Sequence, residues 1–465
     1  MALTGRAGLL AVLCAVVVLV APRSVLAIVG AGLLLLALIV FDLALAGGVR
    51  ELRFRRDGDR LVRLGQAARV DLIVENPGRR RVRGVLRDAW PPSAGVTPRH
   101  LPLDVPGGES RRLALTLSPT RRGDREAVRV TVRSLGPLGI AARQGSHHVP
   151  WSVRVLPPFL SRKHLPSRLA RLRELEGLHP ALVRGQGTEF DSLREYVVGD
   201  DVRSIDWRAS ARRHDVVVRT WRPERDRRVL IVLDTGRTSA GRVGAAPIPL
   251  AGEIPAAARQ ADAQRALDGF RGEIPIPPGW PRLDWSMDAA LLLAALAARA
   301  GDRVDFLAHD RSVRAWLSGA GRTELLSSLV NAMAPIEAEL VEADSSGMVA
   351  AVLARAKRRC LVVLLTDLNS ASLEEGLLPV LPQLSSRHLV LLAAVSDPKV
   401  AAMAATRGTA EQVYDAAAAE RLAADRRAIT ARLRRHGVEV VDAPPDEIAP
   451  ALADAYLALK AAGRL

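Results

Sequence analysis

Cysteine is nearly absent from this 465-residue chain, which has only Cys14 and Cys360. That scarcity excludes a disulfide scaffold and a cysteine-rich zinc or iron–sulfur site. Aromatic residues make up only 3%, so any core has to be built from aliphatic side chains. Lysine is scarce as well: 4 of the 66 basic residues are lysine, and arginine carries the rest. Apolar residues at 49% and charged residues at 25% exclude wholesale disorder. At roughly 100–200 residues per domain, the length predicts two to four units.

The net charge is +16 and unevenly spread: +12 over residues 50–160, +5 over 161–228 and −2 over 229–465. Arginine in such excess suggests an anionic partner, either nucleic acid or a membrane surface. Gly8 to Ala21 is an unbroken apolar run, and Val25 to Phe41 is a second, varied only by glycine. A bilayer core needs roughly 20 helical residues, with 17 near the lower limit. Pro22-Arg23-Ser24 is too short for a folded loop, so residues 1–48 read as a transmembrane hairpin. The competing reading, a signal peptide cut after Val25-Leu26-Ala27, leaves the second run unexplained. Arg6 precedes the hairpin, and Arg50, Arg53, Arg55 and Arg56 follow it. The positive-inside bias therefore predicts an inner (plasma) membrane protein whose soluble domains face the cytoplasm. The +12 segment would then face an anionic leaflet.

Residues 49–158 change to short alternating strands ended by turn signals. Examples are Arg69 to Glu75 before Asn76-Pro77-Gly78, Arg111 to Leu117 before Ser118-Pro119, and Glu126 to Arg133 before Leu135-Gly136-Pro137. Period two predicts a β-sandwich-like antiparallel domain with one face buried. His147-His148, with no carboxylate neighbour, reads as a surface pair in a loop.

Residues 159–228 form a charged connector. They contain Gly185 to Thr188, then Glu189-Phe190, Leu193-Arg194-Glu195-Tyr196, Gly199-Asp200-Asp201, Ile205-Asp206-Trp207-Arg208 and Arg212-Arg213. Asp191 to Tyr196 reads as a short helical turn with Phe190, Leu193 and Tyr196 on one face. Ile205 to Arg212 reads as a second short helix. The glycine loop lacks the lysine of a phosphate-binding loop. Asp200 and Asp201 read as part of a salt-bridged lock rather than an acid/base pair. This motif resembles the signature of the bacterial domain of unknown function 58 family. Arg121-Arg122-Gly123 and Pro137-Leu138-Gly139 add weaker matches.

From Arg228 on, strands (Val229 to Leu233, Val304 to Ala308, Leu361 to Leu365, Leu389 to Val395, Val438 to Val441) alternate with helices (Asp284 to Ala300, Gly321 to Ala334, Ser346 to Lys357, Asp446 to Ala461). Residues 229–465 therefore predict a doubly wound α/β sheet, whose ligands bind outside the carboxyl ends of the strands. Asp234 and Asp367 lie at such ends. This region looks like a von Willebrand factor A domain, as the family resemblance also implies. Such domains often hold Mg²⁺ through an Asp-x-Ser-x-Ser loop, a distant threonine and a distant aspartate. By that resemblance the metal ligands are Asp234, Thr238 and Asp367. The site is degenerate, because Gly236 fills the third place and the distant threonine is matched only in position, by Ser345 or Ser346. The Gly-, Ala- and Pro-rich stretch from Ala240 to Pro281 reads as a loop beside this site, covering it, contacting a partner, or disordered. Thr409 to Arg435 reads as a solvated amphipathic helix.

The expected function is a non-enzymatic, membrane-anchored interaction or adaptor protein. The resemblance implies a MoxR-type AAA+ ATPase as partner in assembling or remodelling complexes. The alternative is a metal-dependent, hydrolase-like enzyme using Asp234 and Asp367, against which no nucleophile–base pair is found. Nucleic-acid binding is disfavoured by the scarcity of aromatic faces.

Overall fold

The structure is a computed structural model that describes residues 2–20, 24–178, 189–197, 202–213, 215–222, 227–244 and 279–465. The expected loop at Gly185 to Thr188, the turn at Gly199-Asp200-Asp201, and residues 245–278 of the Ala240–Pro281 stretch lie outside them. The chain divides into two compact units, one including Met1–Pro158 and the other beginning at Phe159.

The first unit opens with a short strand β1 (Ala2–Leu3) and two apolar helices, α1 (Gly5–Val20) and α2 (Ser24–Leu45), which lie against each other. Among the described residues, Val25–Leu45 is the one helix long and apolar enough to cross a membrane. Its side chains are largely exposed, Leu26 and Leu33 among them.

A polar joint ties the end of α2 to the β domain. The buried Asp42 carboxylate accepts the backbone N–H groups of Leu138 at 2.7 Å, Ile140 at 2.7 Å and Ala141 at 2.8 Å. A carboxylate needs several donors when buried, and this turn supplies three. A Cβ on Gly136 would sit 2.2 Å from an Asp42 carboxylate oxygen, so only glycine lets the turn close on it. Arg143 Nε adds a bond to the Leu43 carbonyl at 2.9 Å.

The β domain contains two sheets. The first has the order β1-β10-β9-β5-β7, from β10 (Ala141–Leu156), β9 (Gly123–Leu135), β5 (Val82–Ala89) and β7 (His100–Val105), with β3 (Leu61–Arg63) parallel to β10. The second has the order β2-β4-β8-β6, from β2 (Arg53–Gly58), β4 (Ala68–Glu75), β8 (Ser110–Leu117) and β6 (Val96–Thr97). Alternation places Val70, Leu72 and Val74 of β4 inside, as it does Leu101, Leu103 and Val105 of β7. His147 is on strand β10 rather than in a loop. Its ring bonds the Val49 carbonyl at 2.8 Å and packs on Phe54 at 4.6 Å.

In the second unit α3 (Leu165–Leu178) precedes β11 (Glu189–Glu195), α4 (Trp207–Arg213) and β12 (Val217–Arg222). The helical turn expected over Asp191 to Tyr196 is instead a strand, paired antiparallel with β12 through Leu193↔Arg219 and Arg194↔Val218. A single helical turn is costly to nucleate, whereas a ready partner strand supplies a ladder. The second short helix forms, capped by Asp206, whose Oδ1 accepts the Ala209 N–H at 3.0 Å.

The main sheet has the order β17-β16-β13-β18-β19-β20. Its strands are β13 (Arg228–Asp234), β16 (Arg303–His309), β17 (Val313–Leu317), β18 (Leu361–Leu365), β19 (Leu389–Val395) and β20 (Glu439–Ala443). All neighbours are parallel except β17, an antiparallel edge strand that the apolar pattern did not disclose. Two short strands, β14 (Arg242–Val243) and β15 (Trp280–Pro281), pair where the long stretch leaves and re-enters. The longer helices of the unit are α5 (Arg282–Arg299), α6 (Leu325–Met333), α7 (Ser345–Arg355), α8 (Pro398–Ala405), α9 (Ala410–Arg435) and α10 (Pro445–Ala461). The helix expected from Asp284 starts earlier, with Pro281 at its cap and Asp284 in its first turn. Thr409 and Gln412 close a capping box at the start of α9.

Candidate functional site

Parallel strands point their carboxyl ends to one edge, where β13, β16 and β18 deliver Asp234, His309 and, just past Leu365, Thr366. Asp234 is 8% exposed. Its Oδ1 accepts the Gly236 N–H at 2.8 Å. Its Oδ2 accepts the Thr366 hydroxyl at 2.7 Å and the Thr238 hydroxyl at 3.3 Å. The Ser239 hydroxyl bonds the Asp234 carbonyl at 2.8 Å, which folds the loop back over the strand end. Burial pushes the Asp234 carboxyl above its ordinary range, opposed by the bonds from Thr366, Gly236 and Thr238.

Beside this carboxylate is a cavity of about 30 Å³, walled by Asp234, His309, Asp344, Ser345 and Thr366 among others. That is about the volume of one water molecule. Asp344 caps α7 by accepting the Gly347 N–H at 2.8 Å. The neighbouring Thr235 donates to Asp310 at 3.0 Å, and Asp310 also accepts the N–H of Ser312 at 3.2 Å. The bonds of Asp310 hold its carboxyl below the usual range although burial opposes them.

Of the three ligands expected from the sequence, Asp234 and Thr238 are brought together. Asp367 is turned to another cluster, where its Oδ1 accepts Arg426 Nη1 at 2.8 Å and faces Arg282 Nε at 3.6 Å. Arg426 also bonds Asp442 at 2.7 Å. Thr366, one residue earlier, is the side chain that reaches Asp234, and sequence reasoning passed it over for its charged neighbour. The only signal was its position as the first hydroxyl after a buried apolar strand. Gly236 leaves little room for the missing serine. A Cβ there would lie 3.1 Å from both Ala343 Cβ and the Val341 carbonyl.

The residues present fit a small hard cation in part. Adjacent corners of a Mg²⁺ octahedron with bonds of about 2.1 Å lie about 3.0 Å apart, and Mg²⁺ commonly keeps several waters. The spacings of Thr366 and Thr238 from Asp234 Oδ2, 2.7 and 3.3 Å, bracket that value. No cluster of three or more His, Cys, Asp or Glu side chains suited to a metal exists among the described residues.

Sequence comparison agrees with the connector motif. The profile of the family described as protein of unknown function DUF58 matches residues 192–248 and 282–440, which is about half of the connector and most of the α/β domain. A search of curated proteins finds no match. Among solved structures, the CARDB domain of a Pyrococcus furiosus protein in complex with di-metal ions is similar. It has 16% identity and a TM-score of 0.18, covering 22% of this chain and 91% of that one. A β-glucosidase from Listeria innocua is similar at 13% identity and a TM-score of 0.15, covering 21% of this chain and 16% of that one. Likenesses this slight carry no argument about this chain.

Proposed function

We propose that this is a membrane-anchored, non-enzymatic interaction protein. Its α/β domain is von Willebrand factor A-like and recognises a partner at the carboxyl edge of the sheet. The observation that carries the reading is the convergence of Asp234, Thr238 and Thr366 on one carboxylate oxygen at the edge where doubly wound sheets bind ligands. These oxygens would hold Mg²⁺, and the ion's chemistry there would be to attract an acidic group of the partner. The chain's own part is to fix the hydroxyls, to keep Asp234 out of bulk water, and to anchor the loop through Ser239. By the resemblance of the connector motif, the partner is a MoxR-type AAA+ ATPase, and the pair acts in assembly or remodelling of protein complexes. The apolar helix Val25–Leu45 supports an anchor in the inner membrane, and the arginines after it support soluble domains on the cytoplasmic side.

The hydrolase-like alternative loses support because Asp367, its second carboxylate, is engaged by Arg426. A pull-down from native membranes with ATP present tests the proposal. It should recover an AAA+ ATPase, and recovery of none would sink the adaptor reading.

A further inference from the structure

The β domain contains a second concave site that the adaptor reading does not use. A pocket of about 340 Å³ opens at the end of β5, lined by Arg87, Trp90, Pro91, Pro92, Arg99 and His100 among others. That volume lies at the lower end of the range for ligand pockets. Its indole is fixed by a buried network. Trp90 Nε1 donates to Asp88 Oδ2 at 2.8 Å. Asp88 in turn takes both Nη groups of Arg56 at 2.6 and 2.7 Å, with the two side chains each only 1% exposed. Arg56 Nε donates to the Val149 carbonyl at 3.0 Å, and its guanidinium lies 5.4 Å from the Trp90 ring centroid.

A buried ion pair is a weak source of stability, because desolvation offsets the attraction. This one does hold an aromatic side chain in a fixed pose at a pocket wall. Around it the side chains of Arg87, Arg99 and His100 are exposed, and none forms a hydrogen bond or ion pair among the described residues. Arg87 and His100 are cross-strand partners, which places a guanidinium and an imidazole, both hydrogen-bond donors, opposite one another.

Position distinguishes the possible anions. The pocket follows Ala89, whose partner on β9 is Arg129, while the joint with α2 begins after Leu135. Those six residues of strand span about 20 Å, about 2.5 Debye lengths at physiological salt. A lipid headgroup at the membrane end of α2 is therefore screened from the pocket. A nucleic-acid strand needs successive stacking platforms, and among the described residues this pocket offers one large ring, Trp90, with only the smaller His100 imidazole beside it. We infer that the Trp90 pocket binds an acidic peptide segment of a partner protein, with an apolar side chain against Trp90, Pro91 and Pro92 and flanking carboxylates on Arg87, Arg99 and His100.

The test uses the full chain in nanodiscs, panned against a displayed library of random heptapeptides, with the selected peptides then titrated as synthetic capped peptides. The selected sequences should carry at least two Asp or Glu beside an apolar residue. The double variant Arg87→Glu/Arg99→Glu should weaken their binding at least tenfold, whereas Arg83→Glu, also exposed on β5, should change it less than twofold. Because the altered side chains are exposed, folding is expected to persist, and an unchanged melting temperature checks this. Trp90→Leu should weaken binding with the rim charges intact. Selection of no peptide, selection without acidic residues, or binding indifferent to the charge reversal would each overturn the inference. So would tighter binding of a free nucleoside monophosphate, or of vesicles containing phosphatidylserine, at the same pocket.

Discussion

At the scale of the residue, the Asp234 site shows why charge is a poor guide to geometry. Asp367 is ionisable and follows a strand, so it draws attention, yet its neighbours Arg426 and Arg282 take it elsewhere. Thr366 does the work beside Asp234 with no charge to advertise it. Gly236 is equally informative. Restoring the hydroxyl by Gly236→Ser should destabilise the α/β domain by about 1–3 kcal/mol, as overpacking typically does. Urea denaturation measures the loss, and an unchanged midpoint would mean that the third position has room.

A different residue carries a pH dependence. Burial raises the Asp288 carboxyl from the ordinary 3.8 to about 6, although it accepts the Ser161 N–H at 3.1 Å. Between these values the folded chain keeps a proton that the unfolded chain has released. The resulting stability is fully present below about pH 4 and is lost as the pH rises through about 6. The α/β unit should therefore melt higher at pH 5 than this group allows at pH 7, and Asp288→Asn should remove that difference. A variant with the wild-type pH profile would contradict the assignment.

At the scale of the element, the joint between α2 and the β domain gives Pro137-Leu138-Gly139 a physical meaning. The motif forms the turn whose amides hold the Asp42 carboxylate. Asp42→Leu removes the acceptor of three N–H groups at once. Each buried group left unsatisfied costs about 1–3 kcal/mol. Hydrogen exchange at Leu138, Ile140 and Ala141 should accelerate at least tenfold while the amides of Val70 and Leu72, in β4, stay protected. Equal protection in the variant would show that the turn holds without its carboxylate.

Elements were legible where periodicity was long. The buried strands Val229 to Leu233, Leu361 to Leu365 and Leu389 to Val395 could be read from apolar runs, and the long helix after Thr409 from its composition. Short, charged elements were not. Glu189–Glu195 reads equally as a helical turn, and its partner strand Val217–Arg222 decides the outcome. The same holds for the edge strand Val313–Leu317, whose pairing with β16 depends on contacts the local pattern does not record.

At the scale of the whole molecule, the scarcity of cysteine and the excess of arginine take on separate meanings. Cys360 is buried beside the His388 ring at 3.4 Å, and burial pushes its thiol up to about 12, so it is inert packing rather than chemistry. The arginines are divided in role. Arg56 is internal, Arg80 and Arg143 bond the carbonyls at the end of α2, and Arg87 and Arg99 line a pocket with no ion-pair partner among the described residues.

The proposed recognition of a partner rests on the Asp234 site. The most direct measurement is the affinity of the full chain in nanodiscs for the AAA+ ATPase recovered from native membranes, with Mg²⁺ and ATP, for the wild type and for Asp234→Asn. The variant should bind at least tenfold more weakly, with an unchanged melting temperature. Equal affinity of the two chains, or no affinity in either, would contradict it.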